Sequence, residues 1–570
     1  MSNITGIQIG KIEHVIGQYA DDTFLLMDGS ERSLRLALDI FDRFREASGL
    51  SMNMDKTKAV WLGVKARDKT PLCPDIDIEW TRIFDLLGIK FIVDDLEETL
   101  NVNLEGKIQE IKKTIEAYRR RNLTIIGKIT VVKTMAIPKL IHILSVLPSP
   151  SAGFYKEINA LFSEYIWNNK NGKVNRNLLA QKRCDGGLKL THVETLADAL
   201  KIKCVRSIIL GQGGWVSVFL HCAGKSYGEG MWNLDHRSLV KIAQRSRNPF
   251  WNSVLQAWAK LVKGVVDLQE VTNYSFINAW YVTNNINIKR LHPVLNRKQC
   301  TLLRDLTDTN GNILNHQCFI IKYGIQINVL DFLSLIQSIP RSWRDALEHT
   351  DAFPISRDTS IVIDIKQTEQ VCKWAYSQLT KVLKVKEPYK DKWSFRLNNI
   401  EEEEWKHYNS ILFKCTHNTK LQAFQYKILH NILSTQKSLK MCKISDTDSC
   451  TFCESAVETI EHLMFDCPHV LALWHDMAAW LAPCLDITDL INARNIILGT
   501  FSNDLINLLM LRTKYYVYAC KFSECKPHVL GLIAAIKHEY RIEKAIAKNR
   551  PSARDRINNK WITIIQLVDS

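Results

Sequence analysis

Two short apolar runs open the chain, His14-Val-Ile-Gly-Gln-Tyr19 and Thr23-Phe-Leu-Leu-Met27, with Ala20-Asp21-Asp22 between them. This pattern predicts a β-hairpin with an acidic tip. Leu34, Ala37, Leu38, Phe41 and Phe44 then recur at three- and four-residue spacing, bounded by Ser30 and Gly49, the N-cap and C′ signals of an amphipathic helix. Ala59-Val-Trp-Leu62 and Leu86-Leu-Gly-Ile-Lys-Phe-Ile92 read as further strands, so the first stretch is α+β with an antiparallel sheet. Beyond Val93 the period lengthens. Ile108, Ile111, Ile115 and Tyr118 form one helical stripe, and Ile125, Ile129, Val132 and Ala136 form a second that stops at Pro138. Pro148-Ser-Pro150-Ser marks a break. From there to about residue 440 helical patterns mix with loops, and the many Trp and Tyr suit either a core or base stacking. From Leu481 helical patterns run to a basic end.

Length at roughly 150 residues per domain gives a prior of three or four domains for the 570 residues. Hydrophobic residues at 46% and charged residues at 24% exclude disorder, collagen and coiled-coil rods as the main architecture. Seventy-five Lys plus Arg against sixty Asp plus Glu leave +15, which favours polyanionic partners, nucleic acid first and an anionic membrane second. The most apolar region, Ile125 to Leu147, is interrupted by Lys128, Lys133, Pro138 and Lys139. It reads as a buried helix pair, and no membrane partner is expected. Met1-Ser-Asn-Ile-Thr-Gly has neither a basic n-region nor an apolar h-region, so the expected location is cytoplasm or nucleus, without secretion. Fifteen cysteines are then reduced thiols with one metal cluster. Between Glu105 and Lys139, nine basic residues face three acidic ones; Lys112, Lys113, Arg119, Arg120, Arg121 and Lys128 are the candidate nucleic-acid-binding residues. A second cationic helical stretch runs from Lys537 to Lys560.

Two constellations carry chemistry. Cys450-Thr-Phe-Cys453, His462 and Cys467 give a C-x2-C-x8-H-x4-C spacing. Two thiolates on a tight turn, with an imidazole and a thiolate from a following helix, complete a tetrahedron, and soft S/N ligands select zinc. Four filled positions mean a closed, structural site; Cys442 and His469 are alternative ligands. Asp21 and Asp22 form the second. Adjacent carboxylates repel unless a cation or solvent screens them, so they are either a divalent-metal site or ordinary turn chemistry. Gly211-Gln-Gly213-Gly214 reads as a flexible turn, and Glu401 to Glu404 as a solvated helix start.

Tyr19-Ala20-Asp21-Asp22 between two apolar strands resembles the Tyr-x-Asp-Asp motif of reverse transcriptases. Ser48-Gly-Leu-Ser-Met-Asn-Met-Asp55-Lys56-Thr-Lys58 looks like the segment after the catalytic hairpin and helix in LINE-type (non-LTR) retrotransposon polymerases, and Leu86-Leu87-Gly88-Ile89 looks like their primer grip. Trp167 and Arg183-Cys-Asp-Gly-Gly-Leu188 are similar to a stretch downstream of their thumb. Glu458-Thr-Ile-Glu-His462-Leu-Met-Phe-Asp-Cys467-Pro468 resembles their C-terminal zinc-binding module, and Leu421 to Leu433 the helix preceding it. The resemblance implies residues 1–95 as the C-terminal half of a palm, 96–150 as a helical thumb, 151–440 as a mainly helical connector, 441–480 as a zinc module and 481–570 as a basic helical region. It implies Asp21 and Asp22 as magnesium (or manganese) ligands, Lys56 as a support for the incoming triphosphate, and Leu87, Gly88 and Ile89 as primer grip. A solvated loop lysine is the equal alternative for Lys56. RNA template, DNA primer or target, and deoxynucleotides are the implied partners.

One departure matters. The family's centre needs a further aspartate from an upstream strand and a Gly- and Gln-bearing segment, yet Ser2 to Gln18 holds no aspartate, only Glu13. The expectation is therefore the C-terminal portion of an RNA-directed DNA polymerase, using two-metal nucleotidyl transfer in the parent enzyme and inactive as an isolated chain. A non-catalytic RNA- or DNA-binding zinc protein derived from a retroelement is the alternative.

Overall fold

The computed structural model describes residues 4–569 other than 11, 21, 69, 169–171, 224–230, 233–235, 247, 266–290, 292, 296, 310–311, 340–343, 345–360, 524 and 550. Small sheets lie at the N-terminus and helices follow, as the periodicity predicts. β1 (Ile7–Ile9) and β2 (Ile12–His14) form one hairpin; β3 (Ile16–Tyr19) and β4 (Asp22–Leu25) form the next. Tyr19 lies opposite Asp22, and Ala20 between them takes φ 54, the left-handed conformation a tight hairpin turn demands. α1 (Glu31–Ser48) starts where the Ser30 hydroxyl accepts from the Ser33 N–H and ends at Gly49, φ 71.

β5 (Lys58–Ala59) makes only a two-residue parallel contact with β6 (Glu79–Trp80). The strand expected through Leu62 stops early because Trp61 packs on Trp80 at 4.8 Å and donates its indole N–H to the Thr70 carbonyl. The run from Leu86 to Ile92, expected as one strand, contributes to a hairpin of β7 (Ile83–Leu86) and β8 (Ile89–Ile92). Leu87 at φ 51 and Gly88 at φ 76 form its turn.

α2 (Leu96–Arg119) buries Ile108, Ile111 and Ile115. α3 (Ile125–Val131) runs into a π-turn, Val132–Ala136, and Pro138 opens α4 (Pro138–Val146) at a first-turn position where its missing N–H costs nothing. α5 (Ala152–Trp167), α6 (Arg176–Ala180), α7 (Val193–Ile209), α8 (Trp215–Ala223), α9 (His236–Arg245), α10 (Pro249–Val265), α11 (His316–Tyr323), α12 (Val329–Ser338), α13 (Ile361–Gln367) and α14 (Val371–Lys381) follow. Among the described residues no single helix is long and apolar enough to cross a membrane; only Ile125–Ala136 and Pro138–Val146 taken together have the composition.

The chain divides into two compact units. The first comprises residues 1–114, 136–159 and 192–383. Its helical core is built around α7, where Ala199, Ile202 and Val205 are fully buried with Trp258 and Leu261 of α10 and Ala375 of α14. Lys201, on the same helix, is also fully buried. Its ammonium donates to the carbonyls of Ser145 and Leu147, closing the C-terminal end of α4, and burial holds its pKa down at about 8.

The second unit comprises residues 115–135, 160–191 and 384–570. It holds α15 (Pro388–Arg396), α16 (Glu402–Lys414), α17 (Thr419–Leu429), α18 (Gln436–Met441), α19 (Pro468–Leu481), α20 (Ala493–Leu498), α21 (Asp504–Phe522), α22 (Val529–Asn549), α23 (Pro551–Trp561) and α24 (Ile565–Asp569). α21 is buried on nearly every side, the mark of a central helix. Each polar group it takes inside is bonded: Asn507 to the Thr500 carbonyl, Lys514 to Gln425, and Lys521 to Glu458. Trp393, Trp405, Trp474 and Trp561 are fully buried here and Trp258 in the first unit, so these aromatics are core residues.

Candidate metal centre

Backbone bonds shape the first half-site. The Cys450 N–H donates to the Ala456 carbonyl at 2.7 Å, and the Glu454 N–H to the Cys450 carbonyl at 2.9 Å. Glu454 takes φ 57, so the chain reverses directly after Cys453, and Ser449 pairs with Val457 across the turn. The Phe452 N–H points at the Cys450 sulfur, 3.4 Å away, where it favours the thiolate.

The second half-site depends on a π-turn. The Thr459 hydroxyl accepts from the His462 N–H, and His462–Asp466 then wind as a π-helix closed by the Cys467 N–H on the His462 carbonyl at 2.9 Å. In an α-helix the side chain five residues on lies about 140° around the axis. The wider π-turn returns Cys467 to the side of His462, and Pro468 then begins α19. The Met464 carbonyl in this turn accepts from the buried Trp474 indole at 2.9 Å.

These two pieces bring four donor atoms within 4.8 Å of one another: Cys450, Cys453, His462 and Cys467. Cys450 Sγ lies 3.9 Å from Cys467 Sγ, and Cys453 Sγ lies 3.3 Å from His462 Nε2. With Zn–S of about 2.3 Å and Zn–N of about 2.0 Å, a tetrahedron has edges of roughly 3.5–3.8 Å. The donor set and its spacing fit zinc, with all four positions filled by protein and none open for a substrate. Cys442 and His469 are not in the cluster. In the free thiol cluster, the hydrogen bond between Cys450 and Cys467 holds the Cys450 thiol below its ordinary value and pushes the Cys467 thiol up. The Cys450 shift favours the thiolate, the form that binds metal.

A buried carboxylate supports the turn. Glu458 is fully buried, and it accepts from the Thr451 N–H and hydroxyl between the two cysteines, from the Gln436 N–H at the start of α18, and from the Lys521 ammonium of α21. Burial raises its pKa, but these donors outweigh it and the net shift is downward. Sequence reasoning gave Glu458 and Lys521 no role. The available signal was Lys514 and Lys521, seven apart on a helix rich in apolar residues, which marks cations that need internal partners.

Arg183-Cys184-Asp185-Gly186-Gly187-Leu188 meets the helices just upstream of the cluster. The Asn409 amide donates to the Cys184 carbonyl at 3.2 Å. Gly186 takes φ 77, and a Cβ there would stand 2.3 Å from the Tyr389 hydroxyl; one on Gly187 would stand 2.2 Å from the Gln181 carbonyl. His430 packs between the tilted rings of Tyr389 and Tyr426, and burial holds it down at about 3, a neutral core histidine. Both glycines are therefore packing requirements.

The other predicted residues lie elsewhere. Asp21 is outside the described residues. Asp22 is exposed in β4. Lys56 is exposed at the end of the 3-10 turn Met54–Lys56. Leu87 and Gly88 are exposed at the β7–β8 turn, where His142 Nε2 lies 2.8 Å from the Leu87 carbonyl; Ile89 is buried. Lys112, Lys113, Arg120 and Arg121 are exposed, and Arg119 pairs with Glu116 and Glu164. Lys128 is only 7% exposed and donates to the Tyr165 carbonyl and Asn168. Its charge is satisfied inside the second unit, as its position three residues after Ile125 on the apolar stripe implies. Residues 389–474 match the family model described as zinc-binding in reverse transcriptase, so the segment that contains this Cys3His cluster is a reverse-transcriptase-associated region.

Proposed function

We propose that this chain is the C-terminal portion of a LINE-type reverse transcriptase and that its task is to hold RNA template and DNA primer, with the zinc module as a rigid structural element. The observation that carries this reading is the closed Cys3His cluster inside the matched region. Supporting it are the tight β3–β4 turn beside Asp22, the Leu87-Gly88 turn at the primer-grip position, and the exposed cations of α2. On this reading residues 1–95 are part of a palm, 96–150 a thumb and 151–440 a connector. In the whole polymerase, Asp21 and Asp22 would hold Mg²⁺, which stabilises charge in nucleotidyl transfer.

Primer extension on an RNA template, with the zinc-loaded chain, Mg²⁺ and four deoxynucleotides, tests it beside Asp21→Ala. The expected result is salt-sensitive template binding in both proteins without extension. Extension abolished by Asp21→Ala would show that the chain itself completes a polymerase site. Absence of template binding would overturn the reading.

A further inference from the structure

α22 separates its charges by sign. Its two acidic residues face inward: Glu539 is buried, accepts from the Asn418 amide and pairs with Arg512; Glu543 is buried, accepts from the Trp561 indole and pairs with Lys560. Its cations stand on the outer side. Arg541, Lys544 and Lys548 are exposed and Lys537 is half-buried. Their spacing of four, three and four residues places them in one stripe about 16 Å long. Lys544 contacts Asp569, whereas Lys537, Arg541 and Lys548 have no ion-pair partner among the described residues. A helix face that serves only solubility interleaves both signs. Here both carboxylates of the helix have been withdrawn into the core, leaving a positive row in which Lys544 alone has an ion-pair partner among the described residues.

We propose that the outer face of α22 is a docking surface for the phosphate backbone of a nucleic-acid strand, recognised without regard to sequence. This rests on the nucleic-acid-holding function above and gives that function a site outside α2. A row of about 16 Å is long enough to run beside several phosphates of one strand. Charge alone would also suit an anionic membrane. A membrane-surface helix, however, inserts an apolar face, and that of α22 is already occupied: Leu532, Ile536, Tyr540 and Ala547 are buried in the second unit's core.

The test uses the full zinc-loaded chain and the fluorescence anisotropy of a labelled single-stranded RNA oligonucleotide between 50 and 200 mM salt. Lys537→Glu/Arg541→Glu/Lys548→Glu is compared with a charge-matched control on exposed lysines of the first unit, Lys366→Glu/Lys373→Glu/Lys381→Glu. The α22 triple variant should lower the slope of log K against log salt by about 2, at roughly 0.7 per lost phosphate contact, and weaken binding at least about tenfold. The control should retain the wild-type slope, and zinc content and melting should be unchanged in both. Equal binding by wild type and the α22 variant, or equal loss in both variants, overturns the surface while leaving the nucleic-acid function intact. A wild-type chain that binds no RNA overturns both. Loss of binding to phosphatidylserine vesicles with RNA binding retained would assign the stripe to a membrane and overturn the proposal.

Discussion

Glu458 carries a full charge with no solvent contact, so its worth depends on Lys521 and on the Thr451 and Gln436 donors. Glu458→Gln leaves the Lys521 ammonium buried without its counter-charge and should cost about 3–5 kcal/mol, seen as a lower urea midpoint. Glu458→Gln/Lys521→Met should recover part of that loss. The sign of the pH dependence follows from the lowered carboxyl: its stabilisation is complete above the unfolded value of about 4.3 and is lost as pH falls through the lower folded value. Lys514 also loses stability as pH falls, but in an alkaline window. It is buried against Gln425, and burial holds it down at about 7, so the folded state resists its proton. Stability should fall by about 1.4 kcal/mol per pH unit between about 10 and 7 because of this one group. The difference in urea stability between wild type and Lys514→Met, measured at pH 7 and 9, should show that slope. Residue by residue, the four ligands were legible because the whole cluster is local. Glu458 was not, since its partner lies 63 positions away.

At the scale of elements, the π-turn from His462 to Asp466 fixes the geometry of the cluster. Inserting one Ala after Phe465 would lengthen H-x4-C to H-x5-C, and six residues on an α-winding stands about 120° around the axis from His462, turning Cys467 away from the other ligands. Metal analysis should then find zinc reduced from one per chain to near zero, while α21 and its neighbours keep much of their helical signal. Gly186→Ala tests the docked loop: with φ 77 and a Cβ at 2.3 Å from the Tyr389 hydroxyl, it should destabilise the second unit by roughly 1–3 kcal/mol. α1 was readable end to end because Ser30 and Gly49 punctuate it locally. The β7–β8 hairpin was blurred because Leu87, a residue that disfavours positive φ, occupies its turn. The π-turn could not be read at all, since its winding is set by the cluster and by Trp474 reaching the Met464 carbonyl.

For the whole molecule, two separate cores predict two thermal transitions. One belongs to the helices around α7, the other to those around α21. Chelation should lower only the second, because the metal cluster lies in that unit alone. The helical character of the chain and its basic balance were evident from periodicity and composition. Discontinuous units were not, since residues 160–191 join a core assembled far downstream through Leu178, and no local pattern records such a return. The placement of Glu458 also bears on the order in which the protein can be made. Cys450 and Cys467 are 17 positions apart, so all four ligands leave the ribosome nearly together. Lys521 emerges much later. Until it does, Glu458 has only backbone and hydroxyl donors and stays wet, so metal capture precedes burial of its neighbour's charge. A nascent chain halted between Cys467 and Lys521 should already retain zinc but remain open to proteases around α18.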